Sequence, residues 1–131
     1  MRPVLCAIAI AALFAVASPS AHHSYSAYQM DQLMEIDGEL EAFEWISPHS
    51  LLKVRTAERM YTIEWRAPNA LQRSGLSKDA LKAGDHLIVT GNPRRDVAES
   101  GVINLRTIRR MADGWVWDPW KNQTAPPGSN R

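Results

Sequence analysis

From Met34 to Ala42 apolar and polar residues alternate without a slip. Met34, Ile36, Gly38, Leu40 and Ala42 share one parity, and Glu35, Asp37, Glu39 and Glu41 share the other. A strand with that period has one apolar face and one acidic, solvated face. The strand reading runs over Met34–Trp45 (MEIDGELEAFEW), but Phe43 and Trp45 break the phase, which predicts a bulge or sharp bend. Gly38, in the middle of the pattern, fits a strongly coiled strand.

Four further strands follow from the same kind of pattern. His49–Thr56 (HSLLKVRT) turns Leu52 and Val54 inward, and Met60–Trp65 (MYTIEW) puts Tyr61, Ile63 and Trp65 on one face. His86–Gly91 (HLIVTG) and Val102–Arg110 (VINLRTIRR) are the fourth and fifth, with Asn92–Gly101 between them as a polar loop. Between the third and fourth strands the pattern changes. Pro68–Arg73 reads as a short helix that starts on Pro68 and stops at Gly75, and Ser77–Leu81 reads as a second helical turn capped by Ser77. Three strands, a helical connection and two more strands predict an all-β fold, a small five-stranded OB-like Greek-key barrel; a five-stranded SH3-like barrel is the main alternative. Closure would leave no exposed sheet edge, and the core is small enough for a metal or partner to add useful stability. Trp115–Trp120 (WVWDPW) forms an aromatic patch, and Lys121–Arg131 (KNQTAPPGSNR) has the composition of a disordered tail.

The first residues do not fit this barrel. Arg2 precedes an unbroken apolar run of thirteen residues, Val4–Val16, and small residues with Pro19 follow. That is the layout of a secretory signal peptide, and the run is too short for a transmembrane span. The expected organisation is therefore a signal peptide over 1–21, an N-terminal arm over 22–33, the barrel over 34–111, and a Trp-rich segment with its tail over 112–131. A periplasmic or extracellular location follows, with no membrane span after processing. Removal of the leader takes away Cys6, the single cysteine, and Arg2, leaving 14 Lys+Arg against 14 Asp+Glu. The working chain then has no disulfide and no net charge, which argues against nucleic acid as a partner.

Several segments together resemble a known family. They are His22-His23-Ser24-Tyr25, Glu44-Trp45-Ile46-Ser47-Pro48-His49, Ala67–Gly75 (APNALQRSG) and Leu81–Asp85 (LKAGD). The set is similar to a family of short secreted bacterial proteins, a domain of unknown function. Its usual forms are HHSF near the mature start, W-x-N-P-H, and A-P-N-A-L-x-R-x-G before L-K-x-G-D. The resemblance covers most of the chain from the arm to about Arg110. Tyr25 stands where the family often has Phe and Ser47 where it often has Asn, and neither change removes a histidine. The resemblance implies secretion and an OB-like fold, and it brings no established activity.

Chemistry must then come from the residues. Only four histidines exist, and in a cysteine-free secreted chain His22, His23 and His49 are the candidate metal ligands. The cleavage point decides what they can do. A cut after Ala21 makes the α-amine and imidazole of His22 a chelating pair that His49 or His23 completes. A cut after Ser20 creates Ala21-His22-His23, with a histidine third, which binds Cu(II) in a square plane. A cut after Ala17 puts Pro19 second, where no amide proton is available, so only the two side chains bind. Copper is expected ahead of zinc, because nitrogen ligands and the affinity order both favour it. The structural alternative is an exposed histidine pair and a His49 that hydrogen-bonds within its loop. His86, at the entry to a strand, reads as an edge residue and not as a ligand.

Other chemistry is thinly represented. The acidic residues of the first strand read as a solvated face, and no GxSxG or phosphate-cradling glycine loop is present. Arg94, Arg95, Arg106, Arg109 and Arg110 make a basic region around the last two strands, and Trp115, Trp117 and Trp120 are expected to cover the barrel. The expected function is binding of a small ligand, with copper at His22, His23 and His49 as its concrete form. The alternative is a non-metal OB-type module for a glycan or protein partner. Catalysis is the third reading, because nothing in the pattern supplies a substrate groove.

Overall fold

A computed structural model describes residues 25–119 and residue 121. Six strands appear: β1 (Met34–Glu44), β2 (Leu51–Arg55), β3 (Met60–Glu64), β4 (His86–Pro93), β5 (Val102–Arg110) and β6 (Val116–Trp117). Two short helices accompany them, α1 (Pro68–Arg73) and α2 (Val97–Ser100). The strands run in the order β3-β2-β1-β4-β5-β6, and a parallel β3–β5 pairing closes the first five into a barrel. With α1 between β3 and β4, this is the expected OB-like barrel.

The alternation in β1 works as anticipated. Ile36 and Leu40 enter the core while Glu35, Asp37, Glu39 and Glu41 face solvent. One long strand serves two neighbours: Met34–Glu39 pairs with β4, and Glu39–Glu44 pairs with β2. The register slips between Leu40 and Ala42, and this bulge is the cause of the phase break at Phe43. Past it, Phe43 packs edge-on against Trp45 at 5.5 Å and tilted against Trp65 at 5.8 Å. Gly38 sits where β2 crosses closest, because a Cβ there would overlap the Arg55 carbonyl.

Leu40, Leu52, Val54, Ile63, Leu87, Val89, Ile103 and Ile108 fill the barrel and are fully buried. The helical connection plugs one end. Pro68 stands in the first turn of α1, Gly75 takes φ 82° just past its end, and Leu71 is fully buried. The second helical turn expected over Ser77–Leu81 is a non-helical turn instead. Ser77 Oγ accepts the Asp79 amide at 3.3 Å, and the turn still delivers Ala80 and Leu81 to the core.

Two other segments depart from expectation. Asn92 and Pro93 extend β4 rather than open a loop, and the remainder contains α2. Trp115 and Trp117 are buried as expected, but Val116–Trp117 also forms a strand, β6, on the outer side of β5. The arm is tied down over its described part. Gln29 donates its amide to the Pro93 carbonyl at 2.9 Å, Arg95 donates its amide to Ala27 at 3.0 Å, and Tyr28 bridges to Arg94. Among the described residues no helix is long and apolar enough to cross a membrane.

Candidate functional site

The barrel carries a cleft of about 390 Å³ where its staves part. β5 pairs with β3 only as far as Asn104, and with β6 only from Ile108. Between them, Leu105–Thr107 have no strand on that side among the described residues. Glu64, Trp65 and Arg66 leave β3 along one wall, Asn104, Leu105 and Arg106 of β5 form the floor, and Trp117 and Pro119 close the far side. Pro48 and His49 reach in from the β1–β2 connection, and Tyr25 and Tyr28 from the arm. The sequence pattern offered no groove. This one arises from where three strands stop, which strand periodicity does not encode.

The arm is locked against the cleft by two side chains. Tyr28 is buried, and its hydroxyl donates to the Glu64 carboxylate. Burial, and then the Glu64 carboxylate, push the Tyr28 hydroxyl well above the ordinary tyrosine range. The folded chain therefore holds this hydroxyl proton more firmly than an ordinary tyrosine does. Asn92 is the second lock, 2% exposed. Its Nδ2 donates to the Gln32 carbonyl at 2.6 Å, with longer contacts to Gln29 and Met30 at 3.4 Å. Its Oδ1 accepts from Arg106 Nε at 2.6 Å. One buried amide thus holds both the arm and a cleft arginine.

The indole walls pack against each other. Trp65 meets Trp117 edge-on at 5.0 Å, and the Arg66 guanidinium lies over the Trp117 ring at 5.3 Å. Trp65 Nε1 and Trp117 Nε1 are buried, and neither finds an acceptor among the described residues. Buried donors are normally paired, so this end of the barrel carries an excess of hydrogen-bond donors.

Of the histidines singled out from sequence, His49 is half-buried and lines the cleft, following a cis Ser47–Pro48 peptide. His22 and His23 lie outside the described residues. Among the described residues no group of three or more His, Cys, Asp or Glu side chains could hold a metal ion. His86 is on the outer face of the barrel and within 2.6 Å of Asp37, as an edge residue would be.

The basic region does not form one surface. Arg94 pairs with Asp96 at 3.0 Å, and Arg95 Nε donates to the Ser26 carbonyl at 3.0 Å. Arg110 is bound to Asp113 at 2.8 Å and to the Ala80 carbonyl at 3.0 Å. Arg109 is exposed, and of the five only Arg106 lines the cleft. Sequence reasoning missed Tyr28, Glu64 and Arg66. The first two are joined across 36 positions, and no local spacing reveals such a pair. A signal for Arg66 was present: it directly follows the third strand and precedes the A-P-N-A-L segment.

Neither the curated proteins nor the solved structures include a match to this chain. One family does match, described as a family of unknown function (DUF6152), over residues 9–104. That span takes in the arm and the barrel as far as Asn104, and the chain belongs to this family.

Proposed function

We propose that this protein is a secreted ligand-binding barrel, and most concretely a periplasmic copper-binding protein that uses His22, His23 and His49. The observation that carries this reading is the shared cleft: Tyr25, two residues beyond His23, lines it together with His49. A chain extends by at most about 3.6 Å per residue, so His23 is tethered within about 7 Å of the Tyr25 Cα and His22 within about 11 Å. That short leash, with Tyr25 and His49 on one cleft, is what favours a shared ion. A set of imidazoles, with or without a terminal amine, suits copper better than the harder oxygen-seeking cations, and zinc is the second choice. The role is metal binding or delivery.

The test begins with the intact mass of the mature secreted protein, which fixes the cut after Ala17, Ser20 or Ala21. Copper at about 100 times its Kd should then add roughly 2.7 kcal/mol of stability to that protein. His49→Ala should remove most of the gain. The absence of any copper-dependent rise in melting temperature in the correctly processed chain sinks the proposal.

A second reading rests on the stacked Arg66–Trp117 pair, an aromatic and cationic surface of the kind that glycans and protein partners use. Glycan or partner binding that survives replacement of all three histidines favours this reading over copper.

A further inference from the structure

We propose that the cleft binds an amphiphilic organic anion, a carboxylate carried on an apolar or aromatic body, with Arg66 as the group that grips the carboxylate. The inference does not depend on the copper reading.

The charge balance of the cleft favours an anion. Among the described residues Glu64 is the single carboxylate that lines it, against the guanidinium groups of Arg66 and Arg106. Glu64 is engaged by the Tyr28 hydroxyl and makes no ion pair with Arg66. The Arg66 guanidinium is exposed at the end of β3, and no carboxylate pairs with it among the described residues. Its stacking on Trp117 fixes the plane of the fork in advance, which lowers the entropic cost of a bidentate grip on a carboxylate. Arg106 is likewise fixed, through Nε, by the buried Asn92 amide.

The cleft also carries more donors than acceptors. Arg66 and Arg106 bring guanidinium donors to the wall, whereas its main acceptor, Glu64, is already used by Tyr28. A ligand that complements this wall brings acceptors.

The rest of the lining is largely apolar. Ala67, Ala70, Leu105 and the tryptophan rings give the cleft hydrocarbon walls that a bare inorganic anion would leave wet. A volume of about 390 Å³ admits a ring or a short branched chain next to the carboxylate.

The test uses the mature, full chain in the presence of a chelator, so that copper plays no part. Phenylacetate is the probe, read by tryptophan fluorescence, because Trp65 and Trp117 line the cleft. Saturable binding is expected. 2-Phenylethanol, which keeps the ring and loses the charge, should bind at least about tenfold more weakly, as should inorganic sulfate, which keeps charge without the ring. Arg66→Gln should weaken phenylacetate by about tenfold or more with a melting temperature lowered by no more than about 5 °C, since the residue is exposed and loses only its stacking on Trp117. Equal binding of phenylacetate and phenylethanol, equal binding of sulfate, unaltered binding by Arg66→Gln, or no saturation by about 10 mM phenylacetate would each overturn the proposal.

Discussion

Replacing Asn92 by Ala should loosen the arm from the barrel, and the size of the effect can be worked from its contacts. The side chain is 2% exposed, donates to the Gln32 carbonyl at 2.6 Å and accepts from Arg106 Nε at 2.6 Å. A neutral hydrogen bond of this kind contributes about 1 kcal/mol, and one to a charged group about 1.5–3 kcal/mol. Arg106 is only half-buried, so water recovers part of the second contribution. The net loss should be about 2–3 kcal/mol, or a fall of about 10 °C in melting temperature for a domain of this size. Urea denaturation gives the free energy, and hydrogen exchange of residues 25–33 gives its location. Exchange there should quicken more than in β2 or β3. Asn92→Asp separates the two contacts, since an ionised carboxylate still accepts from Arg106 but cannot donate to Gln32. It should retain the Arg106 contact and lose the arm. A loss under about 0.5 kcal/mol in Asn92→Ala, within the range of ordinary surface changes, would refute the clamp.

Three other perturbations follow from the same geometry. Gly38→Ala should destabilise the barrel by about 1–3 kcal/mol in denaturant unfolding, because the added Cβ meets the Arg55 carbonyl and the strands must move apart. The Tyr28 hydroxyl is raised above its ordinary range, so the folded chain holds that proton longer than the unfolded one; stability should fall as pH rises above about 10. In an absorbance titration one of the three tyrosines should resist ionisation, and Glu64→Gln should bring it only part of the way back, because burial is the larger cause. The Asp113 carboxyl is held below its ordinary range, first by Arg110 and then by the Trp115 amide. The stability it lends is present above about pH 4 and disappears as pH falls through its lowered pKa. Near-UV circular dichroism of the tryptophans should therefore change on acidification, less so in Asp113→Asn.

Much of the barrel could be read in the sequence because its signals are local. The parity of Ile36 and Leu40, the slip that turns Phe43, the Pro68 start and Gly75 stop of α1, and the full extent of β5 all depend on neighbours a few positions apart. The misses have a shared cause in long-range structure. β6 is two residues long, too short for alternation to reveal it; it pairs with β5 after a turn in which the Arg110 guanidinium holds Asp113 and the Arg110 amide donates to the Trp115 carbonyl at 2.9 Å. Asn92 looked like a loop residue because it is polar, yet it is buried for the purpose of holding the arm. The cleft is a gap between strand ends, and its Tyr28–Glu64 clamp joins distant positions. His49, which the sequence singles out through its Pro-His motif, lines the cleft.

The central claim, that His49 and the arm histidines share one copper ion, is tested most directly by pulsed electron paramagnetic resonance of the mature protein loaded with one equivalent of Cu(II). The modulation from remote imidazole nitrogens counts the coordinated histidines. His49→Ala is expected to remove one imidazole from the pattern while the arm ligands remain. An unchanged pattern in His49→Ala would contradict it, because copper would then sit on the arm alone.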